Sequence, residues 1–322
     1  MLKVASRTLH GLLLLVGVSI FAFALLSAAP GNFFDELKLN PQVSPATVAS
    51  LEIQYGMDRP LPVRYLRWLA SVAHGEFGYS MSYHCAVGSL IWVRARNTLL
   101  LTGLATLLAW AVALPWGMLE ALHRGGWADR TGGAVTAGLL AIPDVLVGLI
   151  FLLFAARTGW FPTGGMASVD PSHAAFAERL RDVAVHLFLP VVALALGAVP
   201  VLVRHVRSAM IVVLNSPFIE AARSQGIRKR RLVCRHALPA AMNSLISLLG
   251  FSIGALLSMS LLMEVVLSWP GLGPLVLEAI LARDVHVVIA AVLLSSIFLV
   301  GGNLLADVLL YWADPRIRTV QP

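Results

Sequence analysis

Two places in this chain put charge where an apolar sequence has little use for it unless something is to be held. Between Phe218 and Pro239 it reads FIEAARSQGIRKRRLVCRHALP, with cations at Arg228, Lys229, Arg230, Arg231 and Arg235 crowded between two long apolar segments. In another apolar segment Asp144 directly follows Pro143. A carboxylate at that depth is costly unless it faces a bundle interior or an aqueous path. Its two readings are a structural partner within the bundle and a contact with substrate. Glu264 and Asp307 also lie within or near apolar segments. This is chemistry of charge recognition and docking rather than of bond making. No lysine follows a glycine, so the chain has no P-loop for ATP. It has neither an H-E-x-x-H pair nor a Gly-x-Ser-x-Gly elbow. The histidines are scattered rather than clustered for a metal, and neither Cys85 nor Cys234 belongs to a C-x-x-C pair. No catalytic group, metal or cofactor is expected on this chain, so any energy must come from another subunit or an ion gradient.

The elements that position these charges are membrane spans. Apolar residues make up 58% of the 322 and charged residues 13%, against roughly 25% charged in soluble domains. Six stretches approach or exceed the ~20 residues that cross a bilayer: 11–29, 97–119, 131–156, 183–203, 237–263 and 285–306. The formal charge of +7 reads as topology before it reads as nucleic-acid binding, because the basic loop lacks interleaved aromatics and any recognisable module. With the N-terminus inside, Lys3, Arg7, Arg124, Arg130, the 204–235 basic loop, Arg316 and Arg318 all fall on the cytoplasmic side, where short loops are enriched in Lys and Arg. The expected division is a tail and first span over 1–29, an external segment over 30–96, a five-helix core over 97–314 that includes a cytoplasmic loop at 204–239, and a tail over 315–322. Pro30 argues against signal cleavage after Ala29. Within 30–96, residues 61–72 form an amphipathic helix suited to a membrane surface, with Val63, Leu66, Trp68 and Leu69 on its apolar side.

The front of the basic stretch is punctuated as a short helix. Ser216 suits the N-cap, Pro217 the first helical position and Gly226 the stop. Ala221 and Ala222 permit close approach of another surface, and Glu220 offers a charge to a partner's cation. The same pattern also fits an amphipathic loop helix with no partner.

Glu220-Ala221-Ala222, Gly226 four residues on, and then Leu238-Pro239 resemble the EAA signature of binding-protein-dependent ABC permeases, with His236 where the family pattern has Ile. Ala29-Pro30-Gly31, Gly75 to Ser80, Gly159 to Pro162, Glu264 with Ser268 to Gly273, and Asn303, Asp307 and Asp314 to Arg318 extend the likeness over nearly the whole chain. They resemble the dipeptide, oligopeptide and nickel branch. Asn32-Phe33 and His286 depart from it. Turn residues such as Trp269, read as an interfacial anchor, and Asp314-Pro315, read as a helix end, also have plain structural roles.

The resemblance implies an all-α integral membrane protein of the type I ABC importer kind, with six spans and both termini in the cytosol of a bacterial or archaeal cytoplasmic membrane. It implies a homologous second permease, two cytosolic ATPase subunits that hold the ATP and Mg, and an external substrate-binding protein. The chain itself would not be an enzyme. Short peptides are the default cargo, with nickel chelates and other small solutes behind. Glu220, Ala221, Ala222 and Gly226 would couple to the ATPases, and Asp144 and Glu264 would lie along the translocation path. Relatives of this branch carry a small or polar residue at the Asp144 position, so the acid points to a cationic group on the cargo. The alternative is a gradient-driven secondary transporter with Asp144 as its proton or ion site.

Overall fold

The computed structural model describes residues 2–28, 38, 44–54, 59–168 and 175–313. Helix α1 (Leu2–Ala28) is followed by α2 (Pro45–Gln54), α3 (Leu61–Ala73) and a minimal hairpin of β1 (Tyr79–Ser80) and β2 (Cys85–Ala86). Then come α4 (Val87–Leu122), α5 (Trp127–Leu140), α6 (Asp144–Thr158) and α7 (Phe176–Leu214). The basic stretch holds α8 (Pro217–Ser224), α9 (Lys229–Leu232) and a π-helical turn over Val233–Ala237. It leads into α10 (Leu238–Val266), and α11 (Leu272–Leu281) and α12 (Val285–Ala313) complete the described chain.

Among the described residues, five helical stretches are long and apolar enough to cross a membrane: Thr8–Ala28, Val87–Leu122, Phe176–Leu214, Lys229–Val266 and Val285–Trp312. The segment expected as one span over 131–156 is instead two helices, α5 and α6, bent by 89°. Proline explains the break. Pro143 donates no backbone hydrogen bond and disfavours helical geometry in the residue before it, so α5 ends at Leu140 and a new helix starts at Asp144. Several spans also overrun the apolar windows. Helix α4 begins at Val87, and α7 runs to Leu214 through Pro190 and Pro200. The basic loop expected from residue 204 therefore begins as helix.

The chain forms two compact units. Residues 1–98 and 270–298 make up one, and residues 99–269 and 299–322 the other. In the first unit Phe23, Trp68, Ile289 and Leu293 form an apolar cluster. The Ser19 hydroxyl meets the Tyr65 hydroxyl at 2.9 Å, tying α1 to α3. Trp68 is buried there, while Val63 and Leu66 on the same helix are exposed. The second unit is built round α7, against which α5, α6 and α10 all pack. One of its cores gathers Leu101, Val147, Ala193, Leu194, Leu256 and Met263. Trp269 joins that core and is fully buried, which corrects its expected role as an interfacial anchor. Its backbone N–H donates to the Glu264 carbonyl at 2.8 Å, turning the chain inward after α10.

Candidate functional site

The short helix α8 hangs from the end of α7 by Asn215 and Ser216. Ser216 has the extended backbone of an N-cap, yet its hydroxyl makes no capping bond. It donates to the Val213 carbonyl one turn back, at 2.5 Å. The expected Ser216 cap is thus corrected: the hydroxyl closes the end of α7 instead. Pro217 occupies the first turn as its fixed φ favours. Gly226 has φ +76°, left-handed geometry that a side chain would strain, so the expected turn is where the sequence puts it.

Attachment of α8 rests on a residue that motif reading passed over. Ile219 is fully buried in a cluster with Val206, Met210, Leu232, Val233, Ala237 and Ala241, joined at its edge by Ala222. Phe218 is 50% exposed, and Glu220 and Ala221 are exposed as well. The two alanines therefore differ. Ala221 belongs to the open face with Glu220, while Ala222 is half-buried against the body that carries the helix. The missed signal was the apolar Ile219 one position before the Glu-Ala-Ala triplet, on a helix too short to bury more.

Close to the root of this helix lies an ionic cluster. Arg207, about two turns before the end of α7, donates from Nε and Nη2 to both carboxylate oxygens of Asp129 at 2.6 and 2.9 Å. The Gly125 N–H also donates to Asp129, at 2.8 Å. Glu120 of α4 is buried, with Oε2 3.9 Å from Arg207 Nε. Gly132 of α5 passes directly over it: a Cβ there would collide with Glu120 Oε1 and come within 2.9 Å of Trp116 Nε1. A planar guanidinium forked onto a carboxylate fixes orientation as well as distance. The α4–α5 connection and the end of α7 are thereby pinned together.

Asp144 and Glu264 are not brought to one place with α8. Asp144 stands exposed as the first residue of α6, where the helix N-terminus favours a negative charge. Its carboxylate lies over Gly197 of α7, where a Cβ would come within 2.6 Å of Oδ1. Glu264 is fully buried within the second unit near the end of α10.

In the first unit, motif segments far apart in sequence meet. The Ser80 hydroxyl and the Ser82 N–H donate to Asp284 Oδ2 at 2.7 and 3.2 Å, while Asp284 Oδ1 accepts from the Val287 N–H at the start of α12. The Tyr83 hydroxyl donates to Glu278, and burial together with that carboxylate pushes the phenol up to about 12. Asn97 donates to the Pro270 carbonyl at 2.7 Å, and the Thr98 hydroxyl accepts the Leu272 N–H at 2.9 Å. His286 packs on Gly78, where a Cβ would lie 2.8 Å from its ring. In the second unit Gly159 ends α6 in left-handed geometry, and Phe161 stacks on Phe188 of α7 with centroids 5.0 Å apart. The motif residues at 29–31 and 314–318 lie outside the described residues.

A helical body with spans of membrane length, carrying a short helix with one anchored and one open face, defines the class of integral-membrane proteins. Residues 113–319 match the family described as the binding-protein-dependent transport system inner membrane component, and residues 1–107 match the N-terminal part of such membrane components. The chain belongs to this family of ABC permease subunits. It is 35% identical to the oligopeptide transport system permease protein AppB of Bacillus subtilis (strain 168), over 97% of this chain and 98% of that protein. It is 32% identical to the dipeptide transport system permease protein DppB of Escherichia coli (strain K12), over 94% of each. Among solved structures it shares its fold with a chain of the MetNI methionine ABC transporter in an inward-facing conformation. That likeness has a TM-score of 0.58 at 19% identity and covers 70% of this chain and 96% of that one.

Proposed function

We propose that this chain is half of the translocation path of an ATP-driven importer for short peptides, working with a homologous second permease, two cytosolic ATPase subunits and an external substrate-binding protein. The relatives named for oligopeptide and dipeptide transport support the cargo class. In this reading both termini and the 204–239 stretch face the cytosol, and the bent pair α5–α6 counts as one crossing of six.

One observation carries the coupling role: α8 is fixed to the body by fully buried Ile219 while Phe218, Glu220 and Ala221 remain open. A helix held this way transmits displacement. A partner that grips Phe218 and Ala221 and pairs with Glu220 moves α7 and α10 through the apolar cluster under Ile219. Closure of the ATPases on ATP then becomes a rearrangement of the spans that alternates access between the two sides. Asp144, poised over Gly197 at the α5–α6 bend, would hold a cationic group of the cargo or of the second permease.

The test is a mild-detergent purification of the tagged chain from native membranes, followed by reconstitution. Co-purification of a second EAA-bearing permease and P-loop ATPases, with uptake that requires ATP and the binding protein, is the expected result. Uptake by the isolated chain driven by an ion gradient would overturn it in favour of a secondary carrier centred on Asp144.

A further inference from the structure

Beside the root of α8 the second unit contains a cavity of about 450 Å³ that the coupling role leaves unused. Three cations reach its wall from three separate segments: Arg124 after α4, Arg223 on α8 and Lys229 at the start of α9. Asn215 and apolar side chains, among them Leu122, Leu214 and Leu232, form the rest, and no acid lines it. None of the three cations forms an ion pair within 4 Å among the described residues. Nearby Asp129 is already engaged by Arg207. Positive charge gathered over an apolar floor calls for an anion that carries hydrocarbon of its own.

We infer that this cavity binds the phosphate headgroup of an anionic phospholipid, resting on the reading that residues 204–239 face the cytosol. Its depth in the membrane fits: α4 and α7 end here, and Trp127, 82% exposed and three positions after Arg124, marks the interfacial level at which indoles settle. Basic pockets between spans at the cytoplasmic surface favour such headgroups. The cavity is far larger than a phosphate ion, and its apolar floor gives the glycerol and first methylenes a dry seat. Arg223, about one turn on from buried Ile219, lines the cavity, whereas Glu220 and Ala221 take no part in the lining. A bound lipid and an ATPase therefore occupy different faces of α8, and the lipid braces the helix from behind.

The experiment uses the full chain, with whatever partners co-purify, in nanodiscs of phosphatidylcholine mixed with phosphatidylglycerol. Native mass spectrometry counts the lipids retained. Arg124→Gln, Arg223→Gln and Lys229→Gln are each expected to reduce retained phosphatidylglycerol about fivefold, as expected for one cation near the surface. The charge-matched control Arg230→Gln, outside the cavity, leaves retention unchanged. Equal retention by all four variants would overturn the site. Displacement of the lipid by millimolar inorganic phosphate would assign the same cations to a soluble phosphate and also overturn it. A variant that unfolds, shown by its size-exclusion profile, is replaced by the Lys version at 124 or 223, for which retention at or near the unsubstituted level is expected and a fivefold loss counts against a charge-based site. Retention does not depend on ATP coupling. Failure of the importer reading would leave the lipid count intact, and the reverse holds too.

Discussion

At the scale of single residues, neighbouring alanines in one motif have separate duties. Ala221 is open and Ala222 packs inward. Ala221→Trp is expected to leave the chain folded and to abolish the stimulation of ATP hydrolysis by cargo-loaded binding protein. Ala222→Trp forces a large ring into a packed site and is expected to destabilise the chain by about 1–3 kcal/mol. Thermal unfolding of the purified complex separates the two, and a lower midpoint for Ala221→Trp than for Ala222→Trp would reverse the assignment. Asp129→Ala strands the Arg207 guanidinium and the Gly125 N–H together. It is expected to cost about 1.5–3 kcal/mol, as for hydrogen bonds to charged groups, and Asp129→Asn should recover part of that in the same measurement.

At the scale of elements, two attachments matter most. Ile219→Ala empties a fully buried site and is expected to cost about 2–5 kcal/mol. Protease cleavage at Arg223 and Arg228, both exposed, should rise accordingly. Asp284→Ala removes the acceptor shared by Ser80, Ser82 and Val287. Leaving such donors unmet costs about 1–3 kcal/mol, so hydrogen exchange in 79–86 should accelerate, whereas in Ser80→Ala the change should be smaller. The start and stop of α8 were legible in the sequence because Pro217 and Gly226 act on their own backbone. The clasp between Ser80 and Asp284 was not, although Ser80 stood out as a motif member, because no local rule joins positions 204 apart. The same holds for Arg207 and Asp129, 78 apart. Ser216 misled because a serine before a helix can bond forward or back, and here the carbonyl of Val213 competed successfully. Trp269 misled because an indole at the end of a span suits both a lipid interface and a packed core, and only the turn after α10 decides which.

At the scale of the whole molecule, the apolar spans were legible from composition, and their continuity was not. A hydropathy window averages over Pro143 and sees one continuous helix where the backbone makes two short ones. The side of each loop rests on charge alone and can be measured with the chain's own thiols. Cys85 is partly exposed and Cys234 exposed, and they are the two cysteines of the sequence. With the N-terminus inside, a membrane-impermeant maleimide applied to intact cells with a permeable outer layer should label Cys85 and spare Cys234. Cys234 should react after permeabilisation, most cleanly in a Cys85→Ser variant. Labelling of Cys234 in sealed cells would invert the topology.

The bend at Pro143 also bears on how the protein is made. Helices α5 and α6 have 14 and 15 residues, about 21 and 22 Å of helix, while the hydrocarbon core is about 30 Å thick. Neither is long enough to settle across a bilayer by itself, and the break between them leaves backbone polar groups that lipid does not satisfy. Both pack on α7, which is synthesised after them. The growing chain must therefore hold this pair at the insertion machinery until α7 arrives. In a nascent chain stalled before Phe176, cysteines introduced into the pair should react with a water-soluble maleimide, and in one extended past Leu214 they should be protected.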